Sequence, residues 1–165
     1  MIREKALVFL SETQRELSLL ESTVKLIQKR LRKLGKISNE EDYAAYIESL
    51  ALNLHSFYEG IETVFEKVTD FTGEEKPSGY EWHISLLERM TLPIKHLRPE
   101  VISKNTAREL DTFRAFRHKI RHIYGFMIIP ENVIELSEKI SRPFKAFQND
   151  INSFLKYIKK LAQSK

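Results

Sequence analysis

The sequence predicts an all-α protein, an antiparallel bundle of four long helices plus one short helix. Apolar side chains recur at helical spacing through most of the chain, and no run of alternating polarity indicates a β-strand. The 165 residues include only five glycines and five prolines, which favours long helices joined by short connections. We expect a chain of this length to form a single helical domain, residues 1–165, whose core needs no disulfide.

Two long apolar stripes predict the first two helices. The first stripe extends from about Ile2 to Leu34, and Gly35 is a typical residue just beyond the end of a helix. The string Ser38-Asn39-Glu40-Glu41 has the pattern of a capping box, in which side-chain oxygens accept hydrogen bonds from free backbone N–H groups. The second helix is therefore expected to begin there and to end at the loop-like segment Asp70–Gly79.

The C-terminal half predicts a short helix and two long ones. The short helix covers about Tyr80–Met90, and a connection that is expected to be extended follows it. The fourth helix is expected over about residues 104–127, where Pro130 ends it. The last helix covers about Asn132–Leu161. It contains Pro143, which removes a backbone hydrogen bond, so we expect a kink or a break just before this residue.

The fourth predicted helix contains a basic segment, Phe113–Phe126, with the sequence FRAFRHKIRHIYGF. No acidic residue occurs between Asp111 and Glu131 to neutralise it. The apolar residues of this helix, including Met127, share an arc of roughly 80° that is expected to be buried. The opposite arc of roughly 160° contains Tyr124, Arg117, Arg121, Arg114, Gly125, His118 and His122. Like charges one turn apart cost helix stability, so this face indicates either an anion-binding surface or a plain solvated face.

Arg117 and His122 are the residues of this face with the clearest chemical potential. A guanidinium can neutralise a phosphodiester and the charge that develops on it during cleavage. An imidazole, with a pKa of about 6.5 in model compounds, can take a proton from a ribose 2′-hydroxyl at neutral pH. The pair could therefore cleave RNA without a metal. The spacing alone is weak, because Arg89 and His96 have a similar spacing on either side of Pro93.

The longer string Arg117–Phe126 resembles the active-site helix of HEPN-domain proteins, and in particular of the HepT-like toxins. Their motif is an arginine, a polar residue, and then a histidine that is followed two residues later by a tyrosine. Leu54–Gly60 is similar to the second helix of that group, and Tyr80–His83 is similar to its third helix. The likeness covers about Leu54–Tyr157, whereas the first helix matches only in length and polarity.

The resemblance implies a metal-independent endoribonuclease toxin without a cofactor, in which Arg117 and His122 are the catalytic pair. The residues expected to support RNA binding are His118, Arg114 and Arg121. It also implies a homodimer whose motif helices face each other across a cleft. The implied partner is a minimal nucleotidyltransferase antitoxin that transfers AMP to Tyr124, where added negative charge would face the arginines and block RNA.

Two other kinds of site share features with this sequence. A non-catalytic helical module that binds RNA, a nucleotide or a nucleotidyltransferase through the same basic face remains open. His118 and His122 have a spacing that can ligate zinc, but nearby positive charges would repel a cation and no carboxylate lies near, so we expect no metal. The absence of cysteine, of a signal-peptide pattern and of a long apolar run favours a cytoplasmic protein that does not enter a membrane.

Overall fold

The computed structural model describes residues 2–164, which are helical apart from their connections. The elements are α1 (Ile2–Leu34), α2 (Glu40–Thr72), α3 (Trp82–Met90), α4 (Lys104–Ile120), a 3-10 turn (Gly125–Met127), α5 (Pro130–Lys139) and α6 (Ser141–Gln163). The six helices pack together and no strand forms in this range, which confirms the all-α class. None of the described helices is long and apolar enough to cross a bilayer.

The core lies between the two long N-terminal helices and the helices that pack on them. α1 pairs with α2 along its length, α6 packs on α1, and α4 packs on α2. Phe57 of α2 is fully buried and meets the ring of Phe113 on α4 at a centroid distance of 5.3 Å and that of Phe144 on α6 at 6.3 Å. Such edge-to-face pairs add about 0.5–1.5 kcal/mol to area burial. They fix the inner face of α4 against the core.

Side-chain and backbone caps set the ends of α2. Asn39 is the N-cap, and its side chain accepts a hydrogen bond from the N–H of Asp42 at 3.0 Å. The helix therefore begins one residue later than a box opening at Ser38 would place it, because the asparagine side chain makes the cap. At the other end, Gly73 adopts the left-handed conformation with φ of 74°, which ends the helix a few residues inside the predicted loop.

The motif helix is shorter than the sequence predicts. α4 ends at Ile120, whereas the expected range was about 104–127. The N–H of His122 bonds to the carbonyl of Lys119, three residues back, so the chain tightens and leaves the α-helical path. A helix continued through Gly125 would lose about 1 kcal/mol relative to alanine there. The apolar pattern misled the prediction because it continues beyond the last helical turn.

The segment after α4 is mostly exposed. Tyr124 has an extended backbone, and the following residues form the 3-10 turn Gly125–Met127. Phe126 is 83% exposed and Met127 is 54% exposed, so the expected burial of Met127 is wrong. Because α4 ends at Ile120, helical periodicity no longer directs the side chain of Met127 toward the core.

The predicted last helix is divided into α5 and α6. The division falls at Ile140, which is fully buried, and this confirms the expected break before Pro143. Pro143 lies in the first turn of α6, where a missing backbone N–H removes no helical hydrogen bond. The bundle therefore has six helices where four long ones and a short one were expected.

Arg98 organises the connection between α3 and α4. Its Nε and Nη2 donate to the two carboxylate oxygens of Glu74 at 2.6 and 2.8 Å. Its Nη1 donates to the carbonyls of Leu92 at 3.0 Å and Pro99 at 3.1 Å, and Nη2 also reaches the carbonyl of Arg89 at 3.4 Å. The side chain of Arg98 is completely buried, with every N–H group satisfied.

This network corrects the expectation of an extended connection between α3 and α4. The segment folds into a compact turn in which Ile94 and Arg98 form an antiparallel bridge, because the buried guanidinium draws the chain inward. Burial alone would raise the pKa of Glu74. The hydrogen bonds from Arg98 and Thr72 and the charges of Arg98 and Arg89 outweigh it and hold this pKa below its usual value.

Candidate active site

A cavity of about 200 Å³ lies where the N-terminal end of α3 faces α4. It is named the Arg117 cavity below, and it is lined by Tyr80, Glu81, His83, Ile84, Arg114, Arg117 and His118. Since a water molecule occupies about 30 Å³, a phosphate group with part of its ribose fits this space. Three of the lining residues belong to the basic segment, so the structure gives that segment a concave surface.

Arg117 is the buried cation of the cavity. Only 8% of it is exposed, which corrects the expectation that it lies on an open face. Two carboxylates of α2 draw it inward: Nη1 lies 3.3 Å from Oε1 of Glu62, and Nη2 lies 3.7 Å from Oε1 of Glu59. Its Nε is buried and has no hydrogen-bond partner among the described residues. The charge of Arg117 is thus compensated, but its hydrogen bonds are incomplete.

The buried Glu62 and the half-buried His83 form a pair beside Arg117. Glu62 is 3% exposed, and its Oε2 contacts Nδ1 of His83. In the tautomer with its proton on Nδ1, that N–H donates to the ionised carboxylate of Glu62 and Nε2 is the free nitrogen of the ring. Nη1 of Arg117 also lies 3.5 Å from Nδ1. Burial raises the pKa of Glu62, and the hydrogen bond from His83 and the charge of Arg117 oppose that rise.

His118 and His122 lie next to each other near the C-terminal end of α4. Their ring centroids are 5.0 Å apart in an edge-on arrangement, and the ring of Tyr80 lies 6.2 Å from that of His118. Both histidines are exposed. His118 lines the cavity, whereas His122 follows the end of α4 and reaches the site through its contact with His118. Arg117 and His122 therefore do not share one continuous helix.

The remaining basic residues lie around this centre. Arg114 lines the cavity and pairs with Asp111 at 2.5 Å. Arg121 is exposed at the C-terminal end of α4, and its charge lowers the pKa of His55 on α2. Burial lowers the pKa of His55, and the charges of Arg117 and Arg121 lower it further against the opposing effect of Glu59. The basic segment is therefore partly compensated through tertiary contacts with α2.

Tyr124 lies outside the cavity. It is 72% exposed, and its ring stacks on that of Phe126 at a centroid distance of 5.6 Å. Its hydroxyl group is therefore accessible from solvent. Within residues 2–164, no cluster of three or more histidines and carboxylates has the arrangement of a metal site.

Sequence reasoning missed Glu62, Glu59, His55 and His83. Only the likeness of Tyr80–His83 to the third helix of the family pointed to His83, and Glu62 was not singled out. A signal for Glu62 was present, because Tyr58, Glu62, Phe65 and Thr69 recur at helical spacing and all four are buried. A carboxylate inside a buried stripe requires a partner, which here is Arg117 and His83.

The fold and the cavity define a class of protein: a helical bundle whose motif helix presents a buried arginine and an exposed histidine to a phosphate-sized space. The family model described as HepT-like protein matches residues 49–158, which is most of the chain. The chain belongs to the HepT-like family, as the resemblance over about Leu54–Tyr157 indicated. No curated protein and no solved structure matches it significantly.

Proposed function

We propose that this protein is a metal-independent endoribonuclease toxin that is neutralised by a minimal nucleotidyltransferase antitoxin. The observation that carries the proposal is the Arg117 cavity. The buried Arg117 and the exposed His118 line a space of phosphate size, and the ring of His122 lies beside that of His118, within the part of the chain that matches the HepT-like family. These groups supply the two needs of phosphodiester cleavage, which are charge neutralisation and proton transfer.

In the proposed reaction, Arg117 binds the non-bridging oxygens of the scissile phosphate. Arg114, His118 and Arg121 contact the RNA backbone around it. The imidazole of His122 takes the proton of the ribose 2′-hydroxyl, and the 2′-oxygen attacks phosphorus. The bond from phosphorus to the 5′-oxygen breaks, which leaves a 2′,3′-cyclic phosphate and a 5′-hydroxyl end. The departing 5′-oxygen needs a proton from a second acid.

The exposed segment after α4 supports the proposed partners. The side chains of Tyr124, Phe126, Met127 and Ile129, which follow His122 in the chain, expose large apolar surfaces. A second copy of the chain would cover part of this surface in a homodimer, and an antitoxin would bind it when it modifies Tyr124. The phenol is exposed enough for AMP transfer, and the added phosphate would place negative charge beside Arg121.

The test of the enzymatic proposal is RNA cleavage in the presence of EDTA. We expect the wild-type protein to leave 2′,3′-cyclic phosphate ends, and His122→Ala to be nearly inactive because the base is removed. Arg108→Ala is the matched control, since Arg108 is exposed on α4 and faces a different groove. Intact RNA with the wild-type protein, or normal cleavage by His122→Ala, would contradict the proposal.

The regulation is tested by co-expression with the adjacent nucleotidyltransferase, if one is encoded there, followed by mass spectrometry of the Tyr124 peptide. We expect an AMP adduct on the wild-type protein and none on Tyr124→Phe, which should remain toxic in the presence of the antitoxin. An unmodified Tyr124 peptide from a neutralised toxin would exclude this mode of control.

One observation favours a second candidate, a non-catalytic module that binds RNA or a nucleotidyltransferase. Glu62 and Glu59 already neutralise Arg117, which lowers the positive charge available to a phosphate. RNA that binds the protein at low salt but remains uncut in the EDTA assay would favour this alternative.

A further inference from the structure

His83 lies in the Arg117 cavity but has no part in the motif chemistry. It lines the cavity with Arg117 and His118, and 17% of its side chain is exposed. The indole of Trp82 packs on its ring with centroids 3.7 Å apart, and Nδ1 is held by Glu62. The described residues form no hydrogen bond to Nε2. The ring is therefore fixed in orientation while one nitrogen remains free.

A purely structural role accounts poorly for this arrangement. A buried charged pair contributes little to stability compared with apolar residues of the same size, because both charges lose their hydration. Glu62 is almost fully buried beside an arginine whose Nε lacks a partner, so the group is not optimised as a structural network. A carboxylate behind an imidazole has a clear chemical use, since it stabilises the protonated ring and fixes its tautomer.

We propose that His83 is the general acid that protonates the departing 5′-oxygen, in the same chain that supplies Arg117 and His122. Glu62 acts as the positioning residue that orients His83. This inference rests on the proposed ribonuclease function and adds to it the second proton-transfer group. One chain then supplies both groups, and cleavage needs no histidine from a second copy.

The proton balance of the step is complete. Neutral His122 accepts the proton of the 2′-hydroxyl as the bond from the 2′-oxygen to phosphorus forms. Protonated His83 gives its Nε2 proton to the 5′-oxygen as the bond from phosphorus to that oxygen breaks. The enzyme ends with His122 protonated and His83 neutral, and exchange with water restores both. No oxidant, reductant or further reactant takes part.

The decisive experiment compares two substrates with one scissile phosphate each. The first is an ordinary RNA oligonucleotide, and the second has sulfur in place of the departing 5′-oxygen. A thiolate leaves without being protonated, so it needs no general acid. We expect His83→Gln, whose amide can still donate to Glu62, to cleave the ordinary substrate about 10²–10⁴-fold more slowly. It should cleave the thio substrate close to the wild-type rate, whereas His122→Ala should fail on both.

Three outcomes decide the inference. Normal cleavage of ordinary RNA by His83→Gln would overturn it, and so would an equal loss on both substrates in a variant that unfolds at the wild-type temperature. His83→Asn provides a second variant if His83→Gln does not fold. A wild-type protein that cleaves neither substrate would overturn the ribonuclease function as well, which separates the two failures.

The positioning role of Glu62 is tested by the pH dependence of cleavage. Glu62→Gln keeps a hydrogen-bond partner for His83 but removes the charge that stabilises the imidazolium, so the alkaline limb of the rate profile should move to lower pH. An unchanged profile would contradict the positioning role. The other titratable or charged groups around this cavity are Glu59, Arg114, Arg117, His118, Tyr80 and Glu81.

Mixing His83→Gln with His122→Ala tests whether one chain supplies both groups. We expect no recovery of cleavage, since every site would lack one of its two histidines. Recovery would show that the acid and the base come from different copies.

Discussion

Arg98 and Arg117 are both almost fully buried, yet their surroundings differ. Every N–H group of Arg98 has an acceptor, and its Nε and Nη2 donate to the two carboxylate oxygens of Glu74 at 2.6 and 2.8 Å. The nearest carboxylate oxygen to Arg117 lies at 3.3 Å, and its Nε has no partner among the described residues. Arg98 closes a turn and its side chain is completely buried, whereas Arg117 lines a cavity of about 200 Å³.

The difference separates a cation whose hydrogen bonds are complete from one that still has a free donor. A buried donor without an acceptor costs about 1–3 kcal/mol, and a chain under selection for stability alone would have little reason to keep it. Arg98 shows that this fold can satisfy a buried guanidinium completely. The looser environment of Arg117 is therefore best explained by the anion that it is proposed to bind.

The largest expected effect is on stability at Arg98. Arg98→Ala would leave the buried carboxylate of Glu74 without its partner and should lower the free energy of unfolding by about 3–5 kcal/mol. Urea denaturation followed by circular dichroism measures the loss. Combining Arg98→Met with Glu74→Leu is the matched control, since it removes both charges and should recover much of the stability. A loss below about 1 kcal/mol in Arg98→Ala would mean that the network contributes little.

The second effect separates activity from stability at Arg117. Arg117→Lys keeps the charge beside Glu62 but loses the planar fork, so it should fold. We expect it to cleave RNA about 10²–10³-fold more slowly, as when one donor to a developing oxyanion is removed. Its free energy of unfolding should fall less than that of Arg98→Ala. Equal losses of stability at the two arginines, with cleavage unchanged in Arg117→Lys, would remove the distinction between them.

The smallest expected effect is that the stability contributions of Glu74 and Glu62 depend on pH in opposite directions. Folding lowers the pKa of Glu74. The stability that this carboxylate contributes is therefore fully present above its unfolded-state pKa and is lost as pH falls through its folded-state pKa. The pKa of Glu62 is raised by burial, so the fold loses stability as pH rises from the unfolded-state pKa through the raised one.

Unfolding in urea across the acidic range tests these opposite signs. The difference in unfolding free energy between the wild type and Glu74→Gln should increase with pH. The corresponding difference for Glu62→Gln should decrease with pH. If both differences in unfolding free energy changed with pH in the same direction, the pKa values of Glu62 and Glu74 would be shifted alike on folding.

The sequence predicted the helices well because their signals are local. Apolar periodicity located all the long elements, and Pro143 marked the division at Ile140. The end of α4 was wrong because the apolar pattern of Ile123 and Met127 continues after the helix has ended. Asn39 replaced Ser38 as the cap because several residues in that string can make the same hydrogen bond.

The candidate site could be predicted only in part, since half of it comes from other helices. Arg117, His118 and Arg114 were expected from the basic segment and do line the cavity. The carboxylates that bury Arg117 lie more than fifty residues earlier on α2, and no local pattern couples them to α4. The same tertiary dependence hid His83, whose meaning comes from its contact with Glu62.

The end of α4 at Ile120 divides the site mechanically. Arg117 is buried on α4 within the packed bundle, whereas His122 belongs to the connection that contains the exposed Tyr124 and Phe126. A protein that grips this connection could therefore pull the imidazole away from a bound phosphate without unfolding anything or displacing the arginine. Phosphate binding and proton transfer would then depend on separate parts of the structure. An inhibitor would need to displace only the connection that contains His122.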